Sequence, residues 1–378
     1  MRKIIVFGLI LSLGISGLLC SCTPAEDVFP SLSYPETDTS ETSFSDETAS
    51  LNPSDLIELK LALPYSDTTV NRLVKYYYGV NNGLISPGTN ALMLDLDFLD
   101  SIDIPWIVEN IPISGDGADA DSFSEDDMPD IILLGDIASD TGSLLVLNDI
   151  LAMDPDYGNG DIYIEAFDSV TFNGQIYGIP HYATFTVLIG NSDFIPSDGR
   201  IPYSPTADEL RSYVEEIDSQ YSDEGVIAFT GAGSSFTGDL RAFTDQLYED
   251  DLASDSDNEN ADPRYARNAA IWPSSSGNAG VWEEYYPGSL YYFRVPSFYD
   301  GSNNMTTVYP LGISASCEQP ELCADIATFI SYDTNALLLI ERLESPSGYY
   351  PLVTDSNVWD SIRSAGGVNS VFTEDSYE

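Results

Sequence analysis

The alternation of apolar and polar positions predicts an α/β protein. Residues 56–64 are apolar except at Glu58 and Lys60, a pattern typical of a mostly buried strand. Two further apolar runs, residues 128–136 (MPDIILLGD) and the β-branched run 183–189 (ATFTVLI), also predict strands. These strands are far enough apart in the sequence for helices to lie between them.

Apolar residues at helical spacing follow two strand-forming segments. Residues 65–69 supply N-cap side chains for one helix, and Thr206 with Glu209 predicts a capping box at the start of another. The apolar faces of the two helices consist of Val70, Leu73, Val74 and Tyr77, and of Leu210, Val214, Ile217 and Tyr221. Strand–loop–helix units of this kind are typical of open α/β sheets.

The loop after the first strand carries two candidate ligand contacts. Ligands of open α/β sheets bind at the carboxyl edge of the strands, where this loop is expected. Tyr65 and Asp67 are therefore candidate binding residues. A second interpretation is open for Asp67, in which its carboxylate only caps the following helix.

Residues 172–194 (FNGQIYGIPHYATFTVLIGNSDF) organise the middle of the chain. They begin with the turn Asn173-Gly174, continue through the apolar run 183–189 and end in a polar turn at 191–193. Taken alone, this segment is a buried strand. The flanking sequence decides whether it also connects two lobes.

The ordered pattern from residue 56 to about residue 360 resembles family 1 extracellular solute-binding proteins, the class of maltose-binding protein. The similar segments are NGQIYGIPHYATFTVLIGNSDFI, the Pro-Asp-Ile strand at 129–131, SPTADEL at 204–210 and YPLGISA at 309–315. The chain departs from the family pattern where Ala207 replaces a Trp and where the Tyr and Lys expected after Ile189 are missing.

The resemblance implies an α/β, two-lobe periplasmic-binding-protein type II fold with hinge crossovers and a central cleft. Lobe 1 is expected at residues 54–181 plus 296–331, and lobe 2 at 182–295 plus 332–378.

The resemblance also implies ligand-binding residues. Asp136 matches a position that faces the sugar, where a carboxylate accepts hydrogen bonds from paired hydroxyls. Trp272 is expected to provide a flat aromatic platform for a pyranose, oriented by the hydroxyl of Ser274, with a core Trp as the alternative. His181 and Tyr182 lie at the expected hinge and are interpreted as cleft-lining residues rather than as a catalytic base.

The amino terminus has the features of an exported lipoprotein. Residues 1–21 form a charged and then apolar signal peptide, and Leu19 and Ser21 before Cys22 resemble a bacterial lipobox. Lipidated Cys22 and the Ser-, Thr- and acid-rich residues 22–53 predict a disordered membrane tether. An ordinary secretory signal is the alternative. The expected location is extracytoplasmic, at the bacterial cell membrane.

The formal net charge of −49 excludes nucleic acid and anionic lipid surfaces as partners. Solubility, or tolerance of a saline or alkaline exterior, explains this charge, and a cationic or metal ligand held by converging carboxylates is the alternative. The acidic loops at 115–122 and 255–259 lack the EF-hand register, so solvated loops without metal are predicted, and no cofactor is expected. Export permits a disulfide between Cys317 and Cys323.

The leading functional hypothesis is a binding lipoprotein that captures a solute, most simply an oligosaccharide, and delivers it to the permease subunits of an ATP-driven (ABC) importer. The 24 tyrosines and 4 tryptophans favour a carbohydrate. Two alternatives stay open: a surface glycosidase with paired carboxylates, and a surface module that holds a polymer or a partner protein.

Overall fold

The computed structural model describes residues 56–124, 127–138, 140–153, 162–195, 201–202, 204–231, 239–254, 263, 267–296 and 305–373. The signal peptide, Cys22 and the tether lie outside the described residues, so their assignments stay predictions.

The described strands are β1 Ile57–Ala62, β2 Trp106–Asn110, β3 Ile131–Leu133, β4 Thr171–Phe172, β5 Gln175–Ile176, β6 Gly178–Asn191, β7 Ile227–Thr230, β8 Ala253–Ser254, β9 Ala269–Ser275, β10 Leu290–Arg294, β11 Met305–Ile313 and β12 Tyr350–Pro351. The α-helices are α1 Asp67–Asn81, α2 Leu96–Asp100, α3 Asn148–Leu151, α4 Ala207–Tyr221, α5 Asp239–Glu249, α6 Ala279–Tyr285, α7 Pro320–Tyr332, α8 Thr334–Leu343 and α9 Ser356–Ser364.

Strand β6 belongs to two sets of strands. Its first part, residues 178–185, pairs antiparallel with β11, which continues the sheet through β3, β1 and β2. Its second part, residues 186–190, pairs antiparallel with β9, which continues through β7 and β8. The sequence explains this length, because every residue of β6 except Thr186 is buried. A strand buried on both faces needs the continuous apolar run found here.

The core contains two hydrophobic clusters. The larger one surrounds the β11–β3–β1 side, includes residues of α1, α7, α8 and α9, and extends to Trp272 of β9 and Tyr292 of β10. A smaller cluster is formed by residues of β7, β9 and β10 with α4 and α5, such as Phe229, Ile271 and Leu210. The sheet and its two apolar clusters agree with a two-lobe arrangement, although the lobe boundaries stay a prediction.

The predicted helix starts are confirmed in detail. Ser66 caps α1, because its hydroxyl accepts a hydrogen bond from the Thr69 amide. Thr206 and Glu209 form the complete capping box of α4. Among the described residues no single helix is long and apolar enough to cross a membrane; only α7 and α8 together pass that test, around a 70° bend.

The expected disulfide is not formed in this structure. The Cys317 and Cys323 sulfur atoms lie 3.3 Å apart as two free thiols, whereas a disulfide requires a separation of about 2.05 Å. The short loop does bring the two residues together, as the spacing predicted.

Phe185 provides a test of the packing at the crossing. It is fully buried and stacks on Phe372 with ring centroids 4.5 Å apart. We expect Phe185→Ala to lower the free energy of unfolding by about 3–5 kcal/mol, because it leaves a cavity. Phe98→Ala is the control, since Phe98 is 44 % exposed, and should cost less than about 1 kcal/mol. Urea unfolding followed by fluorescence measures both, and equal losses would contradict the packing role.

Candidate functional site

Tyr65, in the loop after β1, contacts His181 of β6. The Tyr65 hydroxyl lies 2.6 Å from Nε2 of His181, and the Ser331 hydroxyl of α7 lies 3.2 Å from Nδ1. A neutral imidazole has one donor and one acceptor nitrogen, so both contacts can be satisfied at once. Burial lowers the pKa of His181 to about 3 and raises that of Tyr65, which keeps both side chains uncharged at neutral pH.

A narrow pocket opens beside this pair. It is lined by Tyr65, His181 and Tyr182, by Leu337, Ile340 and Glu341 of α8, and by residues of α9 and of the segment before β12. The space between the lining atoms is about 320 Å³, but the centre of a water molecule can occupy only about 20 Å³ of it. In this conformation the pocket therefore has room for about one water molecule.

Glu341 is the one acidic side chain in the pocket lining. It is 8 % exposed, and burial raises its pKa to about 7. A carboxyl group of this kind is close to half-ionised at neutral pH, so it can either donate or accept a hydrogen bond.

Three tyrosines pack together next to the pocket, and we call Tyr182, Tyr309 and Tyr349 the tyrosine cluster. The Tyr182 ring centroid lies 5.4 Å from that of Tyr309 and 4.9 Å from that of Tyr349. The Tyr182 hydroxyl donates to the Gly115 carbonyl at 3.0 Å, and the Tyr349 hydroxyl donates to Oδ1 of Asp116 at 3.2 Å. The cluster thus combines aromatic faces with an exposed carboxylate.

Tyr349 also contacts segments on both sides of β6. A Cβ added at Gly115, in the loop after β2, would lie 2.8 Å from the Tyr349 hydroxyl oxygen, and one added at Gly277, in the turn after β9, would lie 3.2 Å from it. Glycine allows both chains to approach the phenol this closely. Tyr349 is therefore held between a loop of the β1 side and a turn of the β9 side.

The structure brings together three of the residues singled out in the sequence, Tyr65, His181 and Tyr182. Asp67 is exposed at the start of α1, where Nδ2 of Asn110 lies 3.4 Å from its Oδ1. Asp136 is exposed after β3, and its Oδ1 accepts from the Ala138 amide at 3.0 Å. Neither aspartate lines the pocket.

Trp272 requires a correction. It is only 2 % exposed and packs against Trp282 and Tyr286, with ring centroids 5.2 Å and 5.3 Å away. Because so little of the ring reaches solvent, in this conformation Trp272 is a core residue and not an exposed platform. Ser274 is also buried and accepts a hydrogen bond from Nε1 of Trp282 at 2.8 Å, which ties it to the same packing.

Sequence reasoning missed Tyr309, Tyr349, Asp116 and Glu341 as members of the site. Each lies in a different segment, and none carries a local motif. The only available signals were the abundance of tyrosine and the resemblance of Tyr349-Tyr350-Pro351 to a family segment.

No family model matches the chain, and no curated protein matches it by sequence. Solved structures do share its fold. The sugar-binding protein MalE from Xanthomonas citri has a TM-score of 0.55 at 15 % identity, covering 83 % of this chain and 84 % of that chain. The ABC substrate-binding protein Lmo0181 from Listeria monocytogenes, in complex with cycloalternan, has a TM-score of 0.54 at 14 % identity, covering 85 % and 87 %. UgpB from Mycobacterium tuberculosis, in complex with glycerophosphocholine, has a TM-score of 0.51 at 15 % identity, covering 83 % and 84 %.

These likenesses confirm the fold that the sequence predicted. The chain has the two-lobe α/β fold of the periplasmic binding proteins that its sequence resembles.

The raised pKa of Glu341 generates a pH test. In the unfolded chain a glutamate releases its proton near pH 4.5, whereas the folded chain retains it until about pH 7. The protonated group therefore favours the folded state at low pH, and this contribution is lost as the pH rises from 4.5 to 7. Between pH 4.5 and 8, we expect the unfolding free energy of the wild type to fall by roughly 2–3 kcal/mol relative to Glu341→Gln. Urea unfolding at several pH values measures this difference.

The exposed Glu216 of α4 provides the matched control, and Glu216→Gln should follow the wild-type pH profile. Parallel profiles for the wild type and Glu341→Gln would show that burial does not shift this carboxyl group.

Proposed function

We propose that this protein captures a solute, of carbohydrate class, and delivers it to an ATP-driven membrane importer. The observation that carries the proposal is the tyrosine cluster beside β6, at the point where the chain passes from one half of a binding-protein fold to the other. Ligands of two-lobe proteins are held between the lobes, so the half-buried Tyr349 ring and the exposed Asp116 carboxylate are in a position to contact one, whereas Tyr182 and Tyr309 are buried in this conformation.

The chemistry of the cluster favours a sugar. Tyrosine rings cover the CH faces of a pyranose, and their hydroxyls with a carboxylate match its paired hydroxyl groups. No arginine or lysine lines the described pocket, so it lacks the cation that would pair with the carboxylate of an amino acid or with a phosphate. Two proteins that share the fold support this choice, because MalE from Xanthomonas citri is described as a sugar-binding protein and Lmo0181 is described in complex with cycloalternan.

Capture requires the two halves to separate. The Tyr349 hydroxyl donates its hydrogen bond to the Asp116 carboxylate and lies close to Gly115 and Gly277. These contacts leave little space for a ligand in the present conformation. We infer that opening about β6 frees Asp116, and that ligand hydroxyls then take its hydrogen bonds. Tyr65, His181, Tyr182 and, in the open form, Asp67 and Asp136 stay candidate contacts on this proposal, with the lobe boundaries given by the sequence.

Export and anchoring rest on the sequence alone. The signal peptide, the lipobox-like residues before Cys22 and the polar tether support an extracytoplasmic protein held at the cell membrane by a lipid. The importer's permease subunits are the partner that this location implies.

Ligand binding is tested first by a thermal-shift screen over oligosaccharides, peptides and polyamines, because binding to the native state raises the melting temperature. A sugar should raise it and be recovered unchanged. Recovery of a cleaved product would instead indicate a glycosidase. Capture of a polymer or protein with no small-ligand shift would indicate the surface module.

Asp116 and Tyr349 should dominate the affinity for the sugar found in that screen. We expect Asp116→Asn to raise its Kd about 10- to 100-fold, because charged hydrogen bonds are lost, and Tyr349→Ala to raise it at least about tenfold, because an aromatic face is lost. Calorimetric titration measures both. The exposed residues Asp103 and Tyr291 provide the controls Asp103→Asn and Tyr291→Ala, and equal affinity in all four variants would place the ligand elsewhere.

Lipidation of Cys22 is tested by labelling cells with radioactive palmitate. The wild type should incorporate label and remain with the membrane fraction, whereas Cys22→Ala should lose the label and be released, because a protein-bound acyl chain supplies the anchor. Cys20→Ala is the control and should keep the label. Unlabelled wild type in the medium would support the ordinary secretory signal.

A further inference from the structure

Three carboxylates converge between the acidic loop 115–122, for which the sequence alone predicts no metal, and the loop after β3. Asp119 and Asp121 flank Ala120 in the loop between β2 and β3, and Asp140 lies in the loop after β3. One oxygen from each side chain lies within 4.8 Å of the others. Asp119 and Asp121 are exposed, whereas Asp140 is only 1 % exposed.

Asp140 is the informative member of this group. Both of its carboxylate oxygens are buried, and neither makes a hydrogen bond of ordinary geometry in the described part of the chain, although the Ala120 amide and the Asp119 carboxyl group lie nearby. None of the described ion pairs includes Asp119, Asp121 or Asp140. A buried carboxylate without a partner is costly, and two further acidic groups beside it increase that cost.

The spacing of the oxygens fits one cation. Calcium binds carboxylate oxygens at about 2.4 Å in a flexible shell, so oxygens that lie within 4.8 Å of one another can all reach one ion. Magnesium, at about 2.1 Å, draws its ligands closer together and demands a near-ideal octahedron. The exposed side of the cluster leaves room for water to complete the shell that calcium prefers.

We propose that Asp119, Asp121 and Asp140 together bind a divalent cation of the size of calcium. The ion supplies the partner that the buried Asp140 carboxylate lacks and neutralises the repulsion among the three aspartates. This inference does not depend on the proposed function.

The site would also fix the loop that carries Asp116. Residues 115–117 directly precede Asp119, and Gly117 adopts a φ of +75°. A Cβ at Gly117 would lie 2.4 Å from the Gly135 nitrogen, so this loop packs closely on the chain that leaves β3. A cation joining Asp119 and Asp121 to Asp140 would bind the same two segments together a second time.

The test compares melting temperatures of the purified protein in EDTA, in calcium chloride, in magnesium chloride and in sodium chloride of equal ionic strength. We expect calcium to raise the melting temperature by about 4 °C or more at a concentration a hundred times its Kd. Calorimetric titration should give one calcium ion per chain. Magnesium should give a clearly smaller shift and sodium none.

Two variants and one control make the test specific. Asp140→Asn should abolish the calcium-induced rise in melting temperature. In EDTA it should melt at or above the melting temperature of the wild type, because it removes a buried charge. The variant is then the more stable protein in EDTA and the less stable one in calcium. Asp121→Asn, at an exposed position, should weaken calcium binding at least tenfold. Asp149→Asn, at an exposed aspartate of α3, should behave as the wild type.

The proposal is overturned if the wild type melts at the same temperature in calcium and in EDTA, or if Asp140→Asn keeps the calcium shift. The first result would mean that Asp140 is simply protonated in the folded chain. An equal shift in magnesium would overturn the assignment of size.

Discussion

The hydrogen bonding of β6 to two different neighbours is the constraint on which this structure depends. Because its first part pairs with β11 and its second with β9, one strand joins the β11–β3–β1 strands to the β9–β7 strands. The residues that contact the middle of β6 come from distant parts of the sequence. The Ser276 hydroxyl shows this, since it accepts from the Phe185 amide at 3.0 Å and donates to the Gly348 carbonyl at 2.5 Å.

The buried polar groups of this structure differ in whether they have hydrogen-bond partners and in whether they can carry a charge. Tyr65, His181 and Ser331 form a neutral hydrogen-bonded chain, which a low-dielectric interior tolerates. Glu341 and Asp140 are carboxyl groups whose pKa values burial raises, and such groups are the ones that ligands, protons or ions stabilise. The two lie in separate regions, one in the pocket and one beside β3.

The sequence predicted the strands and helix starts well, because these depend on local patterns. The apolar run at 183–189 and the capping box of Thr206 are examples, and both are present as expected. Side-chain exposure depends on distant partners, so Trp272 was wrongly assigned to a ligand surface when Trp282 and Tyr286 cover it. The tyrosine cluster escaped prediction for the same reason, since its members come together only through the pairing of β6 with β11 and β12.

The pairing of β6 with β11 also determines how this molecule can bend. Two hydrogen-bonded antiparallel strands behave as a ribbon. Displacement within the plane of the ribbon must stretch its N–H···O bonds, whereas flexing perpendicular to that plane only changes backbone torsions. The crossing between the halves contains such a ribbon, with register shifts at Met305/Thr307 and Tyr309/Pro310. Pro310 donates no bond to the ladder. The pairing of β6 with β11 therefore resists displacement within the plane of these two strands more strongly than flexing perpendicular to it.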